Sequence, residues 1–290
     1  MIRFATELDI PKLKDIWEDC FDDPLNYVDF IFDRVSNPAD TLVFEINGKI
    51  VSMVTLIPVK FSYGEEYVNC VYIYGAATTK QYQNRGLMTK LLAQAEDISR
   101  SRGAELCVLV PGETYLYKYY KDRGYSSDFN VREVVLKSGM INSKFEAETP
   151  VEYDTISASN LYDIRKKCLS SIPYIEWTAK QLEFVIDDAL IYGDHVASYF
   201  GDKGRSYAFY SMRKKTLYIK ECCGTTEESE LLLIKDIVMT HTPKKVLFHL
   251  PMNAELFKYE GEVVRCGMSK PLNINAFMRD LGPYMNLMLD

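Results

Sequence analysis

The sequence predicts a mixed α/β chain made of two halves with a similar order of elements, and three features carry that reading. Residues 41–60 are two apolar runs separated by Asn47-Gly48, and a third run follows Tyr63-Gly64, the pattern of an antiparallel meander. Residues 69–110 read as an apolar strand, a polar loop, an amphipathic helix and a second apolar strand, which is one β-loop-α-β unit with a parallel strand pair. Beyond a polar, patternless stretch at 138–150 the same order returns in weaker form.

The elements follow in turn. A strand at 2–5 leads to a helix with Asp9 at its N-cap and Pro11 in its first turn, and Leu13, Ile16, Trp17 and Cys20 share one face of it. A second helix covers 25–35 and ends at Asn37-Pro38. Strands 41–46 and 49–60 flank Asn47-Gly48, since both central residues of a type I′ turn need positive φ. After the strand 70–77, a helix places Leu87, Met88, Leu91, Leu92, Ala95 and Ile98 on one face. It carries Arg100 and Arg102 in its last turn and stops at Gly103. Strand 105–110 then lies parallel to 70–77, and a short aromatic helix, ETYLYKYYKDRGY, leads to a strand at 131–136. The second half offers helices at 159–168 and 177–186, strands at 205–212 and 216–222, a helix at 227–239, and strands at 245–250 and 263–268. The expected domains are 1–137 and 151–290, joined by a linker at 138–150.

Composition narrows the function. The chain has 290 residues, 34 Lys+Arg against 41 Asp+Glu for a net charge of −7, and 47% hydrophobic residues, values of a globular protein and not of a disordered or fibrous one. With no Lys/Arg-rich block it lacks the basic surface that nucleic acid demands, and its acidic balance favours a cationic small partner. No apolar stretch reaches the roughly 20 residues of a membrane helix, and the opening MIRFATELDI is acidic where a signal peptide is apolar. The expectation is a cytoplasmic protein with neither a nucleic-acid nor a membrane partner. Seven cysteines form an odd set without a C-x-x-C pair, and the three histidines all fall in the second half, so neither a disulfide framework nor a metal site is expected.

Chemistry is concentrated in the loop Gln83-Asn84-Arg85-Gly86-Leu87-Met88, between the strand at 70–77 and its helix. Backbone N–H groups at a helix start have no intrahelical acceptor, and with the helix dipole they favour an anion. Gly86 permits close approach and Arg85 adds a cation. The loop lacks the G-x-x-x-x-G-K-[ST] and G-x-G-x-x-G patterns, and a plain Gly-containing β-to-α turn is the alternative reading of it.

Over residues 1–137 the sequence resembles the GNAT (Gcn5-related) N-acetyltransferase superfamily, whose acetyl-CoA signature is [QR]-x-x-G-x-[GA]. Gln83 and Gly86 match it, and Met88 departs from it at the last position. The segment Tyr119-Tyr120-Lys121-Asp122-Arg123-Gly124-Tyr125 resembles the family's F-Y-x-x-x-G-[FY] helix end. The tandem organisation is similar to that of the enhanced-intracellular-survival type, which implies two GNAT-like domains, each a mixed, largely antiparallel sheet with a central parallel pair flanked by helices. The resemblance further implies acetyl-CoA as co-substrate and no metal. Backbone groups of Ala76, Ala77 and Thr78 would pair with the pantetheine arm, amides from Gln83 to Met88 (Asn84, Arg85, Gly86 and Leu87 between them) would hold the pyrophosphate, and Tyr120 would protonate or stabilise the leaving thiolate, the alternative for it being a core aromatic.

The general base is open between Glu113, whose plainer role is a solvated carboxylate at a helix start, and the carboxylates of Asp290, in line with tandem relatives that use a C-terminal carboxylate. In the second half the corresponding loop, GTTEES at 224–229, has no [QR]-x-x-G and two adjacent acids that would repel a pyrophosphate. That half is expected to shape a substrate cleft, with Tyr174 and Trp177 as pocket or core residues and Cys222 and Cys223 as packed thiols. The expected reaction is direct acetyl transfer to a primary amine of a small molecule or peptide. The alternatives are a non-catalytic CoA-binding module, or an aminoacyl or thiol-metabolite acyltransferase of the tandem type.

Overall fold

The computed structural model describes residues 1–141, 149–258, 260–273 and 282–289. They fall into two compact units. Met1–Lys60, Val68–Ser126 and residues 268–273 make the first, and Phe61–Tyr67, Ser127–Gly267 and residues 282–289 make the second. No helix among the described residues is long and apolar enough to cross a membrane.

In the first unit β1 (Ile2–Phe4) pairs antiparallel with β2 (Thr41–Ile46), and β2 with β3 (Lys49–Tyr63), across the Asn47-Gly48 turn, whose two residues have φ of 49° and 75°. β4 (Glu66–Thr78) follows, and β5 (Leu106–Leu109) runs parallel to it from Cys70 opposite Leu106 to Tyr72 opposite Val108. Between them comes α3 (Leu87–Ser101). Its Leu91, Leu92 and Ala95 pack into one apolar cluster with Val54, Val71, Ile73, Cys107 and Leu109, each buried Leu contributing about 1.5–3 kcal/mol. α1 (Ile10–Cys20) and α2 (Leu25–Phe30) precede the sheet, and α4 (Thr114–Lys121) follows β5.

The second unit is built around β6 (Ser126–Lys137), whose residues 132–137 pair antiparallel with β12 (Lys245–Leu250). β12 runs parallel to β11 (Thr216–Gly224), which pairs with β10 (Gly204–Arg213). That strand pairs in turn with β9 (His195–Gly201), and β9 with β7 (Glu152–Tyr153). α5 (Ala158–Leu169), β8 (Tyr174–Glu176) and α6 (Ala179–Ile191) come before these strands, and α7 (Glu227–His241) lies between β11 and β12. The order β10-β11-α7-β12, with its parallel pair, thus repeats β3-β4-α3-β5. The last strand, β13 (Glu262–Pro271), sends residues 268–271 antiparallel along β5, Met268 opposite Leu109 and Pro271 opposite Leu106.

The structure departs from the sequence reading in four places. The strand expected at 131–136 runs from Ser126 to Lys137, and its pairing with β12 puts it in the second unit. The helix expected at 177–186 is α6, shifted to 179–191. Thr178 is its cap, with Gln181 completing a reciprocal capping box, while Trp177 stays in extended chain. β7, β8 and β9 had no expected counterparts. Asp9 stands at the N-cap of α1 without capping it, because its carboxylate is taken by Arg3 (2.7 Å), by the Thr6 amide (2.8 Å) and by the Thr6 hydroxyl (2.9 Å).

Candidate active site

The parallel register of β4 and β5 ends at Tyr72 and Val108, whereas β4 continues to Thr78. The end of β4 is therefore fixed from its other side. The Thr79 amide donates to the Val51 carbonyl at 3.0 Å, and Ser52 Oγ donates to the Ala77 carbonyl at 2.8 Å. Alternation along an extended strand then turns the amide and carbonyl of Ala76 to the opposite edge. The Thr78 carbonyl accepts from Gln83 Nε2 at 3.0 Å and from Cys20 Sγ at 3.2 Å, so Gln83 closes the loop back onto the strand.

After β4 a single turn at Lys80–Tyr82 leads into residues 83–88. Asn84 and Gly86 both have positive φ, 60° and 72°. A β-carbon on Gly86 would meet nothing within 4 Å, so the requirement for glycine there is conformational and the space in front of it is open. Gly86 caps α3 and supplies no side-chain bond. Lys90 is the first amide to find an intrahelical acceptor, the Gly86 carbonyl at 3.2 Å, which leaves the amides of Leu87, Met88 and Thr89 without one. Arg85 is exposed, lies over the Tyr82 ring at 4.9 Å and donates to the Gln81 carbonyl at 2.9 Å, adding a positive charge beside these amides. Free amides, a helix N-terminus, a guanidinium and an unobstructed glycine are the parts of a cradle for a phosphate or pyrophosphate.

The α7 start in the second unit has none of this openness. The Thr226 side chain accepts from the Ser229 amide at 3.1 Å, and a β-carbon on Gly224 would lie 2.6 Å from Glu230 Cγ. The first turn is capped by its own residues, and Glu227 and Glu228 stand at its head.

Tyr120, near the end of α4, is buried and shares one apolar cluster with Ala76, Met88, Leu116 and Tyr119. Its hydroxyl has no hydrogen-bond partner among the described residues, and burial pushes its pKa up to about 12. It is thus a neutral, uncommitted proton donor across the physiological range. Arg123, one turn on, donates to Thr89 Oγ1 through Nε (3.1 Å) and Nη2 (2.6 Å), so the end of α4 is tied to the first turn of α3.

The structure brings Ala76, Ala77, Thr78, Gln83, Asn84, Arg85, Gly86, Leu87, Met88 and Tyr120 into the same unit, with Ala76 and Met88 on the Tyr120 cluster. Glu113 is exposed at the N-cap of α4. Asp290 lies outside the described residues. The chain just before it is anchored in the second unit, where the Tyr284 carbonyl accepts from the Ile175 amide (3.0 Å) and the Leu287 carbonyl from Trp177 Nε1 (3.1 Å). Tyr174 and Trp177 are buried core residues, and Cys222 and Cys223 are buried thiols whose pKa is pushed well up, by burial for Cys222 and by its bond with Cys168 and burial for Cys223. Ser52, Cys20, Thr89 and Arg123 were missed by sequence reasoning. Arg123 stands inside the YYKDRGY segment, but the other three carry no local signal, because they act from elements distant in the chain.

Comparison with known proteins defines the class. Residues 1–127 match the family model described as acetyltransferase (GNAT) domain. The first part of the chain is a GNAT acetyltransferase domain, and the protein is an acyltransferase. Among curated proteins none matches the chain in sequence. Solved structures share the fold. A probable N-acyltransferase from Enterococcus faecalis V583 aligns with a TM-score of 0.79 at 13% identity, covering 94% of this chain and 73% of that one. A GCN5-related N-acetyltransferase from Anabaena variabilis ATCC 29413 aligns at 0.74 and 16%, covering 94% and 73%. Eis1 from Mycobacterium abscessus aligns at 0.71 and 10%, covering 94% and 74%.

Proposed function

We propose that the protein is an N-acetyltransferase that moves the acetyl group of acetyl-CoA directly to a primary amine. The observation that carries this is the open, uncapped start of α3 at Gly86, in the same unit as the uncommitted Tyr120 hydroxyl. Amides of Leu87, Met88 and Thr89 and the Arg85 guanidinium would take the pyrophosphate. The edge of Ala76 that β5 leaves free would take the pantetheine amides as a further strand would. The amine nitrogen forms a bond to the acetyl carbonyl carbon and the carbon–sulfur bond breaks. The departing sulfur receives the Tyr120 proton, and the amine's proton leaves to solvent or a carboxylate.

The acceptor is read as cationic. Asp19, near the end of α1, accepts from the Lys80 amide at 2.8 Å and pairs with its ammonium at 3.7 Å, and Asp22 and Asp23 follow α1, so that with 41 Asp+Glu against 34 Lys+Arg the acids outnumber the cations. The second unit, with its capped and acidic α7 start, is read as a GNAT-like domain without a second cofactor, and the protein as one that works in the cytoplasm.

The test is calorimetric titration of acetyl-CoA into the wild type and into Gly86→Glu, followed by a panel of amines with mass detection of acetylated product. Binding by the wild type and loss of binding in a folded Gly86→Glu are expected, together with turnover on cationic amines. A wild type that does not bind acetyl-CoA overturns the reading.

A further inference from the structure

The second unit contains a cavity of about 370 Å³, within the range of small-molecule sites. It lies where β11 and β12 stop pairing. Their parallel register runs from Thr216 opposite Lys245 to Ile219 opposite Phe248, whereas β11 continues to Gly224. The end of α5, the start of α7 and the segment after β12 complete its walls. Every residue that lines it belongs to the second unit.

The lining has two parts. Leu169, Leu250 and Leu256 make an apolar wall, and Glu227, Glu230 and Glu255 supply three carboxylates. Glu255 is exposed and already holds Lys258 Nζ at 2.8 Å, so the negative charge inside the cavity is that of Glu227 and Glu230. Cys222 lies in the wall as a fully buried thiol without a hydrogen-bond partner among the described residues, so the cavity also presents a polar atom that the fold itself leaves unused. The same residues make the cavity a poor place for phosphate, since the head of α7 is capped by Thr226 and covered by acids.

We infer that this cavity binds a small aliphatic amine as its ammonium ion, with the charge on Glu230 and the carbon chain against the leucines. A part-buried carboxylate beside another is costly to ionise alone, and an organic cation with an apolar body relieves that cost while filling the apolar wall. The groups facing Glu230 are consistent with this. They are Glu227 one turn earlier on α7, the Gly224 amide, which donates to the carboxylate, Cys168 from α5 with Sγ 4.0 Å from Oε1, and Cys222 from β11, and none of them is a cation. Burial first, and then the charge of Glu227, push the Glu230 pKa up to about 7. A carboxyl raised into this range gives up its proton when an ammonium ion binds beside it. The site is independent of acyl transfer, and its ligand need not be acetylated.

The test uses the full chain and three probes of one size, 1,4-diaminobutane, n-butylamine and butyrate. Titration calorimetry at pH 7 in two buffers of different ionisation enthalpy should show the amines binding with release of protons, and butyrate not binding. Glu230→Gln should weaken amine binding at least tenfold while the variant keeps its circular dichroism spectrum. Because a cavity variant could unfold, the wild type gives a second readout: amine should slow the reaction of the Cys168 thiol with maleimide, in the absence of acetyl-CoA. Absence of amine binding, an unchanged affinity in folded Glu230→Gln, or butyrate binding as tightly as the amines overturns the inference. Failure of acetyl-CoA to bind would leave each of these outcomes readable.

Discussion

The guanidinium of Arg123 lies 3.4 Å from the centroid of the Tyr119 ring, and the same residue reaches back to Tyr119 through Nη1, which donates to its carbonyl at 2.6 Å. With its two bonds to Thr89 Oγ1, this one side chain holds the residue before Tyr120 against the first turn of α3. Replacing it by methionine removes the charge-assisted bonds and the stacking but keeps the stem, at a cost of about 1–3 kcal/mol. The expected outcome for Arg123→Met is a Tm lower by several degrees and a raised KM for acetyl-CoA. Lysine restores only part of either, since it lacks the planar fork. Thermal melts and initial-rate kinetics on the three proteins check this.

Tyr120→Phe separates chemistry from packing. The hydroxyl bonds to nothing among the described residues, so its removal should leave Tm within about a degree, while kcat falls by about 10²–10⁴ if it is the proton donor. The tyrosine's folded pKa of about 12 lies above its unfolded value near 10, so its contribution to stability is complete below pH 10 and is lost as pH rises toward 12. Wild-type turnover should therefore show no loss from this group below about pH 10, and unchanged turnover in the phenylalanine variant would remove Tyr120 from the mechanism.

In the second unit Arg165 and Glu221 form a fully buried ion pair at 3.0 Å, and the Tyr207 hydroxyl donates to the same carboxylate at 2.5 Å. Arg165 Nη1 also donates to the Ile175 carbonyl at 2.9 Å. Glu221→Gln strands a buried guanidinium and should cost about 3–5 kcal/mol, read as a lower urea midpoint at constant slope. The double variant Arg165→Met, Glu221→Leu should recover much of that loss, because it removes both desolvated charges.

Glu230 supplies a pH test. Its folded pKa of about 7 lies above the unfolded value near 4.3, so the stability linked to it is fully present below about pH 4 and is lost as pH rises through 7. Glu230→Gln, which stays neutral, should match the wild type near pH 4.5 and melt higher than it at pH 8. Melting curves at the two values decide this, and a wild type as stable as the variant at pH 8 would show that the carboxylate carries no such cost.

Local patterns were read with little loss. Asn47-Gly48 announced its hairpin because few other pairs tolerate two positive φ angles, and the face of Leu91, Leu92 and Ala95 announced α3 because a 3.6-residue repeat has one stable place against a sheet. The loop 83–88 was equally legible, since glycine at φ 72° before an apolar helical face is a local requirement. Asp9 was misread because the choice between capping a helix and binding Arg3 depends on where the strand β1 puts that arginine. α6 was placed two residues early because Trp177 has an apolar side chain suited to a helix face, while its indole is claimed by the Leu287 carbonyl from far along the chain.

The sequence by itself therefore determined the mixed α/β class, the β-loop-α-β unit and the Gly86 loop that opens α3, all of which rest on local pattern. Tertiary structure alone decided that β6 pairs with β12, that residues 268–271 return to lie along β5, that Arg123 reaches Thr89, and that three carboxylates line one cavity. Strand partners are chosen by burial of whole faces and by closure of hydrogen-bond ladders across long loops. Nothing in the spacing of residues within a strand records which distant edge will satisfy it.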